Sequence, residues 1–180
     1  MQYVLERVGI DDAEQYRQLV FDAYQQIRDL NLNFDAAHID LEKAQWHLSQ
    51  HLVYGYYENQ KLIGTVTLRT PWSLLPGPFQ LPHLGNFAVH PNFQGKGLSR
   101  KILQQLEQQI LLEQFNVPAY SLGTASNHPW LIEMYERWGF RAVLEKDLGK
   151  GHITVFMVKV LDNARFNEWN SKFEVIQNEK

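Results

Sequence analysis

The spacing of apolar positions predicts helices near the N-terminus and strands after them. Apolar side chains recur every three or four positions from Tyr16 to Leu30, which predicts an amphipathic helix, and a weaker repeat of the same kind covers residues 35–50. Runs rich in Val, Ile, Tyr and Thr predict strands, because β-branched and aromatic side chains suit a pleated sheet. These runs are residues 3–8, 52–58, 62–69, 84–90, 119–124, 140–144 and 153–160. The second and third runs are joined across Asn59-Gln60 and predict a hairpin.

Two further helical repeats cover residues 98–115 and 129–138, and Gly139 follows the second, where a left-handed residue commonly ends a helix. Residues 71–83 contain several prolines among apolar side chains and predict an irregular loop. Aromatic residues spaced three and four apart in the tail predict a short C-terminal helix. The elements therefore run strand, two helices, three strands, helix, strand, helix, two strands. This order predicts an α+β domain with a central mixed, mostly antiparallel sheet and helices on both faces.

Composition narrows the class of protein. A chain of 180 residues with 44% hydrophobic content is suited to one domain with a substantial core. The net charge of −3 is spread along the chain, which argues against a nucleic-acid partner. The absence of cysteine excludes disulfides, thiolate metal sites and a cysteine nucleophile. The N-terminus lacks the pattern of a signal peptide and no long apolar run occurs, so we expect a cytoplasmic protein with no membrane partner.

Residues 94–99, Gln-Gly-Lys-Gly-Leu-Ser, join a predicted strand to a predicted helix. Such a turn exposes backbone N–H groups at the positive end of the helix dipole and suits a phosphate. A dinucleotide fingerprint is disfavoured, because Arg100 stands where its third glycine belongs. A nucleotide P-loop is also disfavoured, because no Gly-Lys pair is followed by Ser or Thr.

The spacing of Gln94, Gly97 and Ser99, preceded by residues 86–91, resembles the acetyl-CoA loop of the GNAT superfamily of N-acetyltransferases. Residues 134–140, Met-Tyr-Glu-Arg-Trp-Gly-Phe, resemble the second signature of that family. The resemblance covers most of the chain. It implies a GNAT domain over residues 1–162, and residues 163–180 then form a helical tail that packs on the domain or at an interface, such as that of a homodimer.

The resemblance also implies the cofactor site, with acetyl-CoA as co-substrate and no metal. The pyrophosphate is expected on the backbone N–H groups of the loop and the pantetheine arm along the preceding strand. The implied cofactor-binding residues are Phe87, Ala88, Val89, Gln94, Gly95, Lys96, Gly97, Leu98, Ser99 and Asn127. Asn127 sits one residue earlier than the family spacing requires, and before Pro129 it also reads as an N-cap. Both interpretations of Asn127 stay open.

For catalysis, the resemblance implies direct attack of a primary amine on the thioester in a ternary complex. Tyr135 stands where the family commonly carries its general acid, although it also belongs to an apolar helix stripe. His83 stands where several relatives carry a carboxylate, and histidine titrates near neutrality, so it is our candidate base. Glu58 and a route through water are the alternatives.

The acceptor is expected to be a small-molecule or peptide amine that enters beside the loop at 71–83. That loop and the helix predicted at residues 129–138 offer an apolar wall or, alternatively, a subunit interface. The wall residues are Trp72, Leu74, Leu75, Phe79 and Trp130.

His47 and His51 stand four apart but lack the glutamate of a zinc-protease motif, so we expect a surface pair without a metal. A catalytically inactive coenzyme A-binding regulatory or interaction module is the rival function, motivated by Ser99 and the shifted Asn127.

Overall fold

The computed structural model describes residues 3–30 and 34–173, which form one mixed sheet with helices on both faces. The strands are β1 Glu6–Arg7, β2 Leu52–Glu58, β3 Lys61–Arg69, β4 His83–Val89, β5 Ala119–Ala125, β6 Arg141–Asp147 and β7 Ile153–Val160. The helices are α1 Ala13–Ala23, α2 Gln25–Asp29, α3 Leu41–Gln50, α4 Leu98–Gln105, α5 Pro129–Arg137 and α6 Asn163–Phe173. A wider π turn, Leu106–Leu112, continues α4. The predicted fold class is confirmed.

The strands of the described residues lie in the order β1-β2-β3-β4-β5-β7-β6, and their pairs are antiparallel except β4 with β5. The predicted hairpin between β2 and β3 is confirmed. Asn59 and Gln60 adopt φ values of 50° and 65°, the left-handed conformation that a two-residue turn of type I′ requires.

Adjacent strand residues point to opposite faces of the sheet, and this alternation divides the core in two. Val53 and Leu62 pack with α1 and α3 on one face. Tyr54 and Ile63, their chain neighbours, pack with α4 on the other. A third cluster joins Phe166 of α6 to the loop before β4 and to β7. No helix within the described residues is long and apolar enough to cross a membrane.

Three predicted elements differ from those observed. The first strand shrinks to Glu6–Arg7, because it is an edge strand that pairs with β2 alone. The helix predicted through Leu30 is interrupted at Tyr24, between α1 and α2. The helix predicted from Asp35 begins only at Leu41, after a 3-10 turn, because the Asp40 carboxylate caps it by accepting a hydrogen bond from the Lys43 N–H at 2.8 Å. Positions 174–180 of the predicted tail helix lie outside the described residues.

The parallel strands β4 and β5 pair only through the first two residues of β4, His83 with Ser121 and Leu84 with Leu122, which lie in the middle of β5. A bulge in β4 follows, where Asn86 has a φ of 36° and one extra residue stands opposite β3. Beyond the bulge β4 remains paired with β3 and β5 with β7, so a gap opens between them. This gap is the base of the cleft described next.

Candidate active site

A cleft of about 750 Å³ occupies the gap between β4 and β5. It runs along β4 from the loop at residues 94–99, which we call the donor end, to the start of the strand at His83, which we call the acceptor end. Helix α5 forms one wall, while α2, α3 and the turn before α3 form the other. Pockets of this size commonly hold small molecules and cofactors.

The donor end is built from backbone. Gly95 and Gly97 have φ values of 72° and 73°, and a Cβ built on either would meet nothing within 4 Å. The two glycines are therefore required by conformation rather than by packing. Helix α4 starts directly after Gly97, and the first N–H groups of a helix have no partner within it. The loop thus combines unobstructed backbone with a helix start, an arrangement that fits the pyrophosphate of coenzyme A.

The side chains of the loop divide between the cleft and other surroundings. Gln94, Gly95 and Ser99 line the cleft. The Gln94 amide also donates to the carbonyl of Val89 at 3.1 Å, which fixes the loop to the end of β4. Leu98 is buried in the core, and the Lys96 amino group lies 5.4 Å from the centre of the Phe93 ring.

The strand segment implied for the pantetheine arm, Phe87 to Val89, also lines the cleft. Ala88 and Val89 pair with β3 on one edge, and their other edge borders the gap to β5. A ligand amide can therefore form strand-like hydrogen bonds with β4 there. The Tyr24 hydroxyl already donates to the Phe87 carbonyl, at 3.4 Å.

Tyr135 of α5 enters the middle of the cleft. Its ring meets the rings of Trp138 and Phe140 edge-on, at 5.8 and 5.6 Å between centroids. Burial raises the pKa of Tyr135 to about 12, so the hydroxyl stays protonated at neutral pH. Burial also raises the pKa of Tyr24, with a further contribution from Tyr135. Two protonated hydroxyls therefore face the middle of the cleft, and sequence reasoning had treated Tyr24 only as part of a helix stripe.

His83 lies at the acceptor end and is 2% exposed. Its Nδ1 is 2.8 Å from the Ser121 hydroxyl, which leaves Nε2 as the ring nitrogen free of that bond. The loop before β4 covers the ring so closely that a Cβ on Gly77 would be 2.6 Å from the His83 Cβ. Burial, followed by the charge of Arg69, lowers the pKa of His83 to about 3, so the imidazole is neutral.

Arg69 ends β3 and pairs across the ladder with His83. Its Nε is buried and has no hydrogen-bond partner among the residues that the structure describes. Burial lowers the pKa of Arg69 and the charge of Asp35 opposes that shift, but an arginine keeps its charge in proteins. Sequence reasoning missed Arg69. The signal that could have identified it is its position as a cation at the end of a long apolar strand.

The expectation of a surface pair at His47 and His51 is wrong. His51 is 5% exposed, and His47 Nε2 lies 2.8 Å from the Thr67 hydroxyl. His47 lies in α3 and stacks on Tyr16 at 5.5 Å, and His51 follows directly after the last residue of α3, where the chain is already extended. Burial first, then the charges of His51 and Arg69, lower the pKa of His47 to about 3.

The mouth of the acceptor end is apolar at its rim and charged on one side. Trp46, Leu75, Trp130 and Leu148 line the cleft and are each more than 40% exposed. Beside them Lys150, in the loop between β6 and β7, forms a 3.0 Å ion pair with Asp35.

The predicted apolar wall is only partly present, because Phe79 is buried against Phe156. Trp72 and Leu74 are exposed and do not line the cleft.

Two further predicted site residues lie outside the cleft. Asn127 is exposed and does not line the cleft, and the N-cap of α5 is His128 rather than Asn127. Glu58, the alternative base, accepts a hydrogen bond from Tyr3 at 2.6 Å and does not line the cleft.

Known proteins share this fold. The PaiA N-acetyltransferase of Thermoplasma acidophilum, solved with coenzyme A, superposes with a TM-score of 0.66 at 15% identity over 89% of this chain and 99% of its own. YncA of Salmonella typhimurium, solved with acetyl-CoA, gives a TM-score of 0.65 at 17% identity over 91% and 96% of the two chains. At such identity the likeness shows the fold alone.

Two proteins of Bacillus subtilis (strain 168) are similar in sequence. An S-(2-succino)cysteine N-acetyltransferase is 49% identical over 150 residues, 83% of this chain and 91% of its own. An S-alkylcysteine N-acetyltransferase is 35% identical over 159 residues, 88% of this chain and 89% of its own. The model of the acetyltransferase (GNAT) family matches residues 14–140, which include both the phosphate loop and the helix of Tyr135. On this agreement of sequence, fold and site, the chain belongs to the GNAT family and is an N-acetyltransferase.

Proposed function

We propose that the protein acetylates the α-amino group of a small S-substituted cysteine, with acetyl-CoA as the donor. The names of the two Bacillus subtilis relatives support this substrate class. The observation that carries the proposal is the contrast within the acceptor end, where a cationic floor at Arg69 lies beneath an apolar rim. Such a site suits an amino acid whose carboxylate enters first and whose thioether substituent stays at the rim, where an alkyl group meets the apolar side chains and a charged group such as 2-succino meets the side of Lys150.

For the donor, we propose that the N–H groups of residues 94–99 hold the pyrophosphate and that the strand from Phe87 to Val89 holds the pantetheine arm. The left-handed glycines and the start of α4 support the first contact. The unpaired edge of β4 supports the second. Acetyl-CoA supplies the activated acetyl group, and the chain supplies orientation and proton control.

In the proposed reaction the neutral amine attacks the acetyl carbonyl, a carbon–nitrogen bond forms and the carbon–sulfur bond breaks. With a pKa of about 3, His83 is a weaker base than the near-neutral histidine expected from the sequence. The nitrogen becomes strongly acidic as the carbon–sulfur bond breaks, and at that stage the neutral His83 can accept its proton directly or through a water. Tyr135, protonated because its pKa is about 12, donates a hydrogen bond to the departing sulfur. No enzyme thioester takes part, since the chain contains no cysteine.

A panel of amines tests the proposal. S-(2-succino)cysteine, S-methylcysteine and S-benzylcysteine are compared with lysine, spermidine and a short peptide, and free coenzyme A is followed with a thiol reagent. Neither the enzyme nor the thioether acceptors carry a thiol, so every thiol that appears is coenzyme A. We expect turnover with the cysteine thioethers to exceed that with the other amines. Turnover confined to spermidine or the peptide would refute the substrate class.

A further inference from the structure

We infer that Arg69 is the carboxylate-binding group of the acceptor site, so that the enzyme requires a free carboxylate next to the amine it acetylates. This inference rests on the proposed function for the nature of the acceptor, and it adds a recognition rule. The rule excludes amines, esters and amides that fit the apolar rim equally well.

The first support is the state of the guanidinium. Arg69 lines the cleft, its buried Nε has no hydrogen-bond partner, and it belongs to none of the ion pairs found within the described residues. The acid whose charge acts on it, Asp35, is 3.0 Å from Lys150 and largely in solvent. A half-buried cation without a close counter-ion has lost part of its hydration, and a ligand anion offsets that cost.

The second support is the charge of the surroundings. Three imidazoles face the guanidinium: His47 from α3, His51 directly after α3 and His83 from β4. Burial lowers the pKa of each. They are neutral hydrogen-bonding groups at neutral pH and bring no net charge. Lys43, further along the cleft, has Asp40 as its partner at 3.6 Å. The acceptor end therefore offers one uncompensated positive charge, which matches one carboxylate.

The third support is position. The Arg69 side chain crosses toward β4 at Gly85, where a Cβ would lie 3.7 Å from the Arg69 Nε. Gly85 and Ala88 lie opposite Thr67 and Thr65 of β3, which are two residues apart, so the bulge leaves Gly85 and Ala88 separated by about 7 Å along the strand. A carboxylate bound to the guanidinium at about 3 Å leaves the neighbouring α-amino group directed along the cleft toward Ala88. The thioester carbonyl lies there if the pantetheine arm follows β4 as proposed.

The test compares an acceptor with its own derivatives. S-Benzylcysteine, its methyl ester and its carboxamide carry the same amine and the same thioether, and only the carboxylate differs. Rates are measured at about pH 9.5, where the amines of all three are largely neutral, so that their different basicities do not decide the result. We expect kcat/KM for the free acid to exceed that for either derivative by about 100-fold.

Arg69→Gln should lower kcat/KM for the free acid by about 100-fold and bring the acid and the ester within about threefold of each other. Arg69→Lys should retain part of the preference, because it keeps the charge and loses the planar fork. Lys61→Gln is the matched control, because it removes an exposed cation at the other end of β3 that does not line the cleft, so the acid-to-ester ratio should stay as in the natural protein. Unchanged acetyl-CoA affinity in Arg69→Gln shows that this variant is folded.

The outcomes separate the two proposals. A natural enzyme that acetylates acid and ester equally, or an Arg69→Gln variant that keeps the full preference for the acid, overturns the role of Arg69. An enzyme that requires a carboxylate but acetylates other amino acids in place of cysteine thioethers supports Arg69 and refutes the proposed function.

Discussion

The two ends of the cleft are built in opposite ways. The donor end is one contiguous segment, residues 94–99, exposed for the most part and shaped by two left-handed glycines and a helix start. The acceptor end brings together Arg69 from β3, His47 from α3, His51 directly after α3 and His83 from β4. His51 and His83 are buried, and Arg69 and His47 are half-buried. Backbone N–H groups bind phosphate through local geometry, whereas a half-buried cation needs distant segments to enclose it. The donor end is therefore a local property of the chain and the acceptor end a property of the fold.

The largest effect is expected where the two ends meet. Tyr135→Phe removes a hydroxyl that stays protonated in the middle of the cleft, and we expect kcat to fall by about 100- to 1,000-fold. Acetyl-CoA affinity, measured by calorimetry, should change little, because the donor end is backbone. Tyr24→Phe is the matched control, since that hydroxyl already donates to Phe87, and it should lower kcat by less than about tenfold. Equal losses in both variants would contradict a special role for Tyr135.

The next prediction tests whether the donor end depends on backbone alone. Gly97→Val places a branched side chain at a φ of 73°, which costs about 1–3 kcal/mol of strain unless the loop rearranges. We expect acetyl-CoA to bind about 10- to 100-fold more weakly. Gly149→Val introduces the same strain at a φ of 72° in the loop between β6 and β7, and it should leave acetyl-CoA affinity unchanged. Equal weakening by both variants would show a global effect rather than a local one.

Sequence reasoning succeeded where structure is local. The hairpin at Asn59-Gln60 and the strands at Leu52–Glu58 and Ile153–Val160 follow from turn chemistry and strand propensity, and the structure confirms them. The two glycines of the donor end stand in a short stretch of sequence and can be recognised from their spacing alone. Neither inference needs to know which segments meet in the fold.

It failed where burial is decided by a neighbour distant in sequence. His47 and His51 carry no sequence signal that α3 covers the end of β3, so their polar character suggested a surface pair. Arg69 reads as an ordinary strand end until the register with His83 places it on the floor of the cleft. The break at Tyr24 follows no helix-breaking residue, and the structure shows only that the Tyr24 hydroxyl reaches Phe87.

The neutral histidines of the acceptor end predict how stability depends on pH. The pKa values of His47 and His83 are about 3 in the folded protein against about 6.5 when unfolded, so the unfolded chain binds more protons as the pH falls. Their contribution to the free energy of unfolding is complete well above pH 6.5 and is lost progressively as the pH falls toward 3. Between about pH 6.5 and 5, where most carboxylates stay ionised, each histidine adds a slope approaching about 1.4 kcal/mol per pH unit.

Urea unfolding at several pH values measures this slope in the natural protein and in His47→Gln and His83→Gln. In each variant, the slope of the unfolding free energy against pH should fall by the equivalent of about one bound proton, whatever the absolute stability of the variant. Slopes unchanged in both variants would mean that the folded acceptor end accepts protons as readily as the unfolded chain, which contradicts its description as a buried, neutral set.

The smallest effect is expected at Asn127. Its size tells whether the donor end extends beyond the loop at residues 94–99. The resemblance to the family predicts a contact with the pantetheine arm, but Asn127 is exposed and does not line the cleft. We therefore expect Asn127→Ala to change acetyl-CoA affinity by less than about twofold. Gln94→Ala is the comparison, because it removes the hydrogen bond that fixes the loop to Val89, and the loss of one such bond corresponds to about a two- to tenfold weakening. A tenfold loss at Asn127 would show that the donor end, like the acceptor end, draws on a segment distant from its loop.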